Sequence, residues 1–336
     1  MREARSHYVQ PGWRRVFDHF GVSLEDTLRT AQLPLDLLEG PGASLSNQEY
    51  FRLWRTLEAQ APDPRFPIRV AETLTGDGSS PPVFAALCSP NFEVAARRIA
   101  HYKRLIGPLV MDVTRTEFEL EVQCRWLAMA EVPPASFLTM EAAFLTRLAR
   151  LGTKLHIRPL EVRLPQHLPG ADIESFLGVR PVHGDIFTFV ISAEDAQRPF
   201  ATANDTMWHI LEPALERRLD ELAREASMTE RVRTVLAELL PIRRGTAEEV
   251  SARVGTGVRT LQRRLRDEGQ SFQEILSATR LQLARNYLQT TSLSCSEISG
   301  LLGYQNPSSF SRAFQSWTGV SPEKARSTSE VMRRAG

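Results

Sequence analysis

Cysteine is scarce in this sequence. Among 336 residues there are three, Cys88, Cys124 and Cys295. An odd number set tens of residues apart excludes a disulfide framework and any CxxC metal or redox motif, leaving reduced thiols. Long apolar runs are missing too. No stretch approaches the roughly 18 uninterrupted apolar residues of a membrane span, and the start, Met1-Arg2-Glu3-Ala4-Arg5, has no apolar region behind it. The expectation is a cytoplasmic protein. Net charge is almost absent, with 41 Lys+Arg against 40 Asp+Glu. At 42% hydrophobic residues the chain can still bury a sizeable core, in two or three domains, which excludes disorder as its main state.

Enzyme signatures are equally wanting. There is no GxxxxGK phosphate loop, no HExxH and no GxSxG, and Gly76-Asp77-Gly78 lacks the third glycine of a dinucleotide fingerprint. The seven histidines, His7, His19, His101, His156, His167, His183 and His209, are scattered singly. A group-transferring enzyme built on a thiol needs a reactive cysteine with clustered metal ligands, and neither Cys88 nor Cys124 stands in such a cluster. No catalytic residue, metal site or cofactor is therefore expected.

The balanced charge conceals an asymmetry. From Glu230 onward there are 16 Lys+Arg against 10 Asp+Glu, a net +6, while the preceding part carries 25 against 30, a net −5. A basic excess suits a polyanion, although alone it describes a solvated surface equally well.

Apolar residues three and four apart predict helices around Trp13 to Phe20, Tyr50 to Leu57 and Phe92 to Ile106, with Pro62, Pro64, Pro67 and the Gly76–Pro82 segment marking loops. The period then changes. Glu117, Glu119, Glu121, Gln123 and Arg125 alternate with Phe118, Leu120, Val122, Cys124 and Trp126, a half-buried strand expected to pair with Val110–Val113 across a Thr114-Arg115 turn. A helix near Phe137–Leu151 and strands near Arg158–Leu164 and Ile186–Ile191 complete an α+β domain. Asn204–Ala226 reads as a helix with Trp208, Leu211, Leu215, Leu219 and Leu222 on one side, suited either to dimerisation or to packing on its own domain; Pro213 would strain a long regular coil. Beyond it the spacing is helical throughout.

A repeat lies in this last third, at an offset of 48 residues. Thr246-Ala247-Glu248-Glu249-Val250-Ser251-Ala252-Arg253-Val254-Gly255 matches Ser294-Cys295-Ser296-Glu297-Ile298-Ser299-Gly300-Leu301-Leu302-Gly303. Both copies open with a capping box and close on glycine, the residue that tolerates a left-handed helix end. After one inserted residue, Leu261, Arg263 and Leu265 fall on Phe310, Arg312 and Phe314. Short helix, glycine turn and second helix with an inward i, i+4 pair is the helix-turn-helix plan, here in tandem. Arg259, Gln262, Arg263 and Arg266 form one stripe on the first recognition helix, and Ser308, Ser311, Arg312 and Gln315 repeat it on the second. Arginine suits guanine in the major groove, glutamine adenine, and serine a base edge or a phosphate. Phe272 to Leu288 predicts a connecting helix of about 27 Å, near the 34 Å turn of B-DNA that paired half-sites need.

Thr260-Leu261-Gln262-Arg263-Arg264-Leu265, Glu268-Gly269-Gln270-Ser271-Phe272, Arg280 with Leu283-Ala284, Glu297-Ile298, Gly303-Tyr304, Ser309-Phe310-Ser311-Arg312-Ala313-Phe314 and Trp317-Thr318-Gly319-Val320-Ser321-Pro322 closely resemble the AraC/XylS family of bacterial transcription regulators. Gly257, Ser299 and Ala325 depart from the family pattern, standing in place of a capping serine, an alanine and an aromatic. Phe92-Glu93-Val94-Ala95 to Tyr102-Lys103-Arg104-Leu105-Ile106-Gly107, the following strand, and Asp195–Phe200 resemble the arabinose-binding-like domain of the branch containing ornithine-utilisation regulators.

The resemblance implies an α+β effector-binding and dimerisation domain over 1–203, a linker helix over 204–226, and an all-α DNA-binding domain over 227–336 with helix-turn-helix motifs at 246–267 and 294–317. It implies a DNA-binding transcriptional regulator, an activator responding to a small molecule, with double-stranded DNA, RNA polymerase and a second copy of the chain as partners. Arg259, Gln262 and Arg263, then Ser308, Ser311 and Arg312, would contact bases. Phe84, Leu87, Tyr102, Phe118 and Trp126 suit an effector pocket or a plain core, and no effector-binding residue is assigned. The alternatives to a sensing regulator are an effector-independent DNA binder whose first domain only dimerises, and an enzyme fused to the DNA-binding module, such as an alkyl-transferring repair protein.

Overall fold

The computed structural model describes residues 7–9, 13–38, 43–75, 80–126, 133–166, 168, 170–225, 227–290 and 293–327. The chain divides into two compact units, with Arg224 ending the first and Glu225 beginning the second.

The first unit begins with strand β1 (His7–Val9), helices α1 (Arg14–Phe20) and α2 (Leu24–Thr30), strand β2 (Ala43–Leu45), and helices α3 (Asn47–Gln60), α4 (Phe66–Leu74), α5 (Pro81–Leu87) and α6 (Phe92–His101). α3 starts at a capping box between Ser46 and Glu49 and buries Tyr50, Phe51, Leu53, Trp54 and Leu57. Pro67, Pro81 and Pro82, expected in loops, instead occupy the first turns of α4 and α5. No amide partner is lost there, and the fixed φ of proline already suits a helix. The expected loop residues Gly76–Ser79 lie outside the described residues. α6 is shorter than expected, ending at His101 before a 3-10 turn over Lys103–Leu105.

Strands β3 (Val110–Arg115) and β4 (Glu119–Arg125), helix α7 (Ala135–Thr153), strand β5 (Glu161–Leu164), helix α8 (Ala171–Leu177), strands β6 (Val182–His183) and β7 (Phe187–Ser192), and helices α9 (Ala193–Gln197) and α10 (Asp205–Glu225) complete the unit. The sheet order is β3-β4-β7-β5-β6, antiparallel except for β5 with β6. Val122, Phe189 and Val162 stand opposite one another across three strands and are buried. The opposite face carries cross-strand ion pairs, Asp112 with Arg125 at 2.5 Å and Glu121 with Arg163 at 3.2 Å. The first hairpin turns later than expected, because Arg115 still pairs with Leu120 and Thr116 N–H donates to Glu119 O at 2.9 Å. Phe118 therefore sits on the turn, 77% exposed, and not inward with Leu120, Val122 and Cys124.

α7 is buried almost all round, as a helix apolar on every side must be. Its Phe137 meets Trp54 edge-on at 5.1 Å, and Trp54 meets Phe66 at 5.4 Å. Near its end, Phe200 lies directly against Gly152: a Cβ on that glycine would stand 2.5 Å from the ring. Phe200 leads toward α10, which Asn204 caps by accepting from Met207 N–H at 2.9 Å. The stripe of α10 packs on its own unit, where Trp208, Leu215 and Leu222 cluster with Ala85, Tyr102 and Leu105. Arg98 lies 3.5 Å over the Trp208 ring, and Tyr102 OH donates to Glu216 at 2.6 Å. Pro213 is exposed within a continuous helix, where water can serve the carbonyl left without a donor.

The second unit consists of α11 (Met228–Leu239), a 3-10 turn over Leu240–Ile242, α12 (Ala247–Val254), α13 (Val258–Asp267), α14 (Phe272–Thr290), α15 (Cys295–Leu301) and α16 (Pro307–Thr318), with no strand among the described residues. Val232, Leu236, Leu240, Val250, Ile275, Ala284, Leu288, Ile298 and Leu302 form its core together with the inward residues of α13 and α16. At 19 residues, α14 is about 28 Å long.

Candidate nucleic-acid interface

Each scanning helix of the pair starts in the same way. Thr246 N–H donates to Glu249 Oε2 at 3.1 Å while Glu249 N–H donates to Thr246 Oγ1 at 3.2 Å. Ser294 and Glu297 repeat this reciprocal pair at 2.8 and 3.2 Å. Arg244, 2.8 Å from Glu249, together with the backbone amides of Gly245 and Thr246, holds that carboxyl down to about 2. The hydroxyl and backbone amide of Ser294 likewise keep Glu297 below the usual carboxylate range.

The turns match as well. Gly255 and Gly303 have φ of 77° and 72°, which a side chain would strain. Thr256 N–H donates to Ser251 O at 2.9 Å, and Tyr304 N–H donates to Ser299 O at 3.0 Å, the same 48-residue offset. The recognition helices then start differently. Gly257 leads α13 without a side-chain cap, whereas Asn306 Oδ1 accepts from Ser309 N–H at 2.9 Å and Pro307 opens α16. Of the remaining departures from the family pattern, the Ser299 hydroxyl is buried without a partner, and Ala325 packs half-buried on the core.

Leu261 and Leu265 of α13, and Phe310 and Phe314 of α16, are at most 1% exposed and anchor each recognition helix by its inner side. This fixes what faces outward. Arg259, Gln262, Arg263 and Arg266 are exposed on α13; Ser308, Arg312 and Gln315 are exposed on α16, with Ser311 half-buried beside them. Among the described residues none of these eight side chains makes a hydrogen bond or ion pair within the chain, so the cationic groups stand ready for an outside anion. Arg244 differs, because its charge is matched by Glu249.

Residues that the periodicity left unmarked support this face. Arg231 of α11 donates to Val254 O at 2.7 Å, and Arg280 of α14 donates to Leu302 O at 2.9 Å. Glu268, just past α13, accepts from Met228 N–H at 2.7 Å and Thr229 N–H at 2.8 Å, capping α11. Glu268 and Arg280 stand within the family-like motifs, whereas nothing in the sequence marked Arg231. In the first unit, of the aromatic and apolar residues that suited either a pocket or a core, Tyr102 is buried, while Phe84 and Phe118 are exposed.

Tandem helix-turn-helix units displaying two matched, uncompensated polar stripes define a DNA-binding regulator. The family description "Arabinose-binding domain of AraC transcription regulator, N-term" matches residues 21–200, and "Helix-turn-helix domain" matches residues 250–328. The chain belongs to the AraC family of transcription regulators. It is similar to the ornithine utilization regulator of Pseudomonas aeruginosa, with 27% identity over 316 residues and 91% of each chain covered. It is also similar to the HTH-type transcriptional regulator VirS of Mycobacterium tuberculosis, with 25% identity over 329 residues and 96% of each covered. The transcriptional activator NphR of a Rhodococcus species is 28% identical over 234 residues, covering 64% of this chain and 68% of that one. The matched domains and relatives are those of DNA-binding regulators, not enzymes. Among the described residues no helix is long and apolar enough to cross a membrane.

Proposed function

We propose that this regulator is a homodimeric cytoplasmic activator that responds to a small molecule and engages RNA polymerase at its promoters. In this reading residues 1–203 bind the effector and pair two chains, 204–226 link, and 227–336 bind DNA. α13 and α16 enter consecutive major grooves, with Arg259, Gln262, Arg263, Ser308, Ser311 and Arg312 on base edges and Arg266 and Gln315 at the ends of the stripes. The observation that carries it is the matched pair of exposed stripes without internal partners, each above a buried i, i+4 pair. The length of α14 supports half-sites about one helical turn apart. The name of NphR supports activation, and the name of the matched first domain supports an effector.

Losing a bidentate arginine contact to guanine costs on the order of 1–3 kcal/mol and relaxes preference at one base pair, whereas losing a phosphate contact weakens all sequences alike. Arg263→Ala and Arg312→Ala should each flatten selectivity at one position on randomised operators, the two positions lying roughly 10 base pairs apart. Arg244→Ala, which removes a charge already matched by Glu249, should leave selectivity intact. Uniform weakening by either recognition-helix variant would remove that arginine from base readout. A thermal-shift screen of the full chain against small metabolites tests the effector, since a ligand of the folded state raises Tm.

A further inference from the structure

Each helix-turn-helix depends on the direction in which its turn releases the recognition helix. That direction is set at the last carbonyls of the scanning helix, which have no partner within the helix and carry the negative end of its dipole. In α12 the carbonyl before the left-handed Gly255 is that of Val254, and Arg231 donates to it at 2.7 Å. In α15 the equivalent carbonyl, before Gly303, is that of Leu302, and Arg280 Nε donates to it at 2.9 Å while Nη2 reaches Gly303 O at 3.4 Å. The two carbonyls are 48 residues apart and the two arginines 49, so the arms come from different registers of α11 and α14 yet grip the same point.

Each recognition helix also has a second hold. The Arg280 guanidinium lies 4.4 Å over the Tyr304 ring, and Tyr304 packs on Phe310, the first inward residue of α16, at 6.0 Å. The first helix-turn-helix has Thr256 in the place of Tyr304, and there the far end of α13 is tied back by Glu268, which caps Met228 and Thr229 at the start of α11. The turn before α13 and the far end of α13 are thus both tied to α11, and α16 is held through Arg280 of α14 and Tyr304 of its turn.

We propose that Arg231 and Arg280 are matched positioning residues, each setting the angle at which its own recognition helix meets the major groove and therefore acting on selectivity at one half-site only. The proposal rests on base readout by α13 and α16. Both arginines bring a cation to a carbonyl, Arg231 through one bond and Arg280 through two together with its stacking on Tyr304. Lysine at 280 keeps the charge but not the second bond or the stacking.

The test is selection on randomised operators with the full chain carrying Arg231→Ala, Arg231→Lys, Arg280→Ala or Arg280→Lys, beside Arg263→Ala and Arg312→Ala. Arg280→Ala should flatten base preference under α16 by roughly tenfold while preference under α13 stays within about twofold, and Arg231→Ala should do the converse. Arg280→Lys should restore only part of the preference. Circular dichroism melts accompany each variant; if an alanine variant does not fold, its lysine partner carries the same comparison. If Arg263→Ala and Arg312→Ala flatten their positions but the Arg231 and Arg280 variants weaken both half-sites equally, the positioning role is wrong and base readout stands. If Arg263→Ala and Arg312→Ala leave selectivity intact, base readout fails and the positioning role falls with it.

Discussion

Lys103 and Glu141 form an ion pair inside the first unit, with Lys103 Nζ 2.8 and 2.7 Å from the two carboxylate oxygens and neither side chain more than 4% exposed. Lys103 stands on the 3-10 turn that follows α6, immediately after Tyr102, so one short segment grips α10 on one side and α7 on the other. Removing one member of a buried pair leaves an uncompensated charge, whereas replacing both with apolar residues is often neutral. Glu141→Ala or Lys103→Ala should cost about 3–5 kcal/mol, and Lys103→Met with Glu141→Leu much less. Urea unfolding followed by tryptophan fluorescence measures this, since of the five tryptophans only Trp317 belongs to the second unit. A double-variant loss equal to the sum of the two single losses would show that the pair is not coupled.

Trp208 ties α10 to α6 beneath the Arg98 guanidinium. Trp208→Ala should cost about 3 kcal/mol by opening a cavity. Amide hydrogen exchange should then quicken along α10 while α7 keeps its protection. Glu216→Gln, which removes charge from the hydrogen bonds of Tyr102 and His101, should have a smaller effect in the same place. Unchanged exchange in α10 of the Trp208 variant would mean that this contact does not hold the helix.

Ser251 and Ser299 are equivalent, yet Ser251 Oγ donates to Glu248 O at 2.9 Å and the Ser299 hydroxyl is buried without a partner. An unmade hydrogen bond in a core is a net penalty. Ser299→Ala should stabilise the second unit by about 1 kcal/mol, a rise in its melting temperature on the order of 5 °C, whereas Ser251→Ala should not stabilise. Differential scanning calorimetry distinguishes the two.

Glu249 titrates far below its ordinary value because Arg244 and two backbone amides bind the charged form. A carboxyl whose value is lowered on folding contributes stability above the unfolded value, and that contribution is lost as pH falls through the folded one. Helicity of the second unit should therefore weaken between about pH 4.5 and 2. Glu249→Gln retains a capping side chain but neither the ion pair nor the titration. It should be less stable at pH 7 and lose less on acidification, as far-ultraviolet circular dichroism against pH would record.

The second unit was legible because its determinants are local. Capping boxes, glycine turns and i, i+4 pairs lie within a few residues of what they specify, so α12, α13, α15 and α16 and both exposed stripes could be read directly. The first unit was legible only in pieces. The alternation of β4 was visible, but its pairing with β7 joins Val122 to Phe189 across 67 residues, and no local pattern encodes that. Phe118 obeyed the alternation and was still misplaced, because the turn chemistry of Thr116 decides where the strand begins. What the supports of the recognition helices hold was hidden for the same reason: Glu268 and Arg280 stood in recognisable motifs, but they and Arg231 act on residues 22 to 40 positions away.

The contact between Gly152 and Phe200 limits how this protein can vary. Every codon change that alters a glycine adds at least a Cβ, and at position 152 that atom would enter a buried aromatic ring. Overpacking of this kind costs about 1–3 kcal/mol. Position 152 therefore has no mild mutational neighbour. Drift there requires Phe200 to shrink first, and an intermediate with the smaller residue opposite glycine carries a void, so the pair is locked in evolutionary order as well as in space.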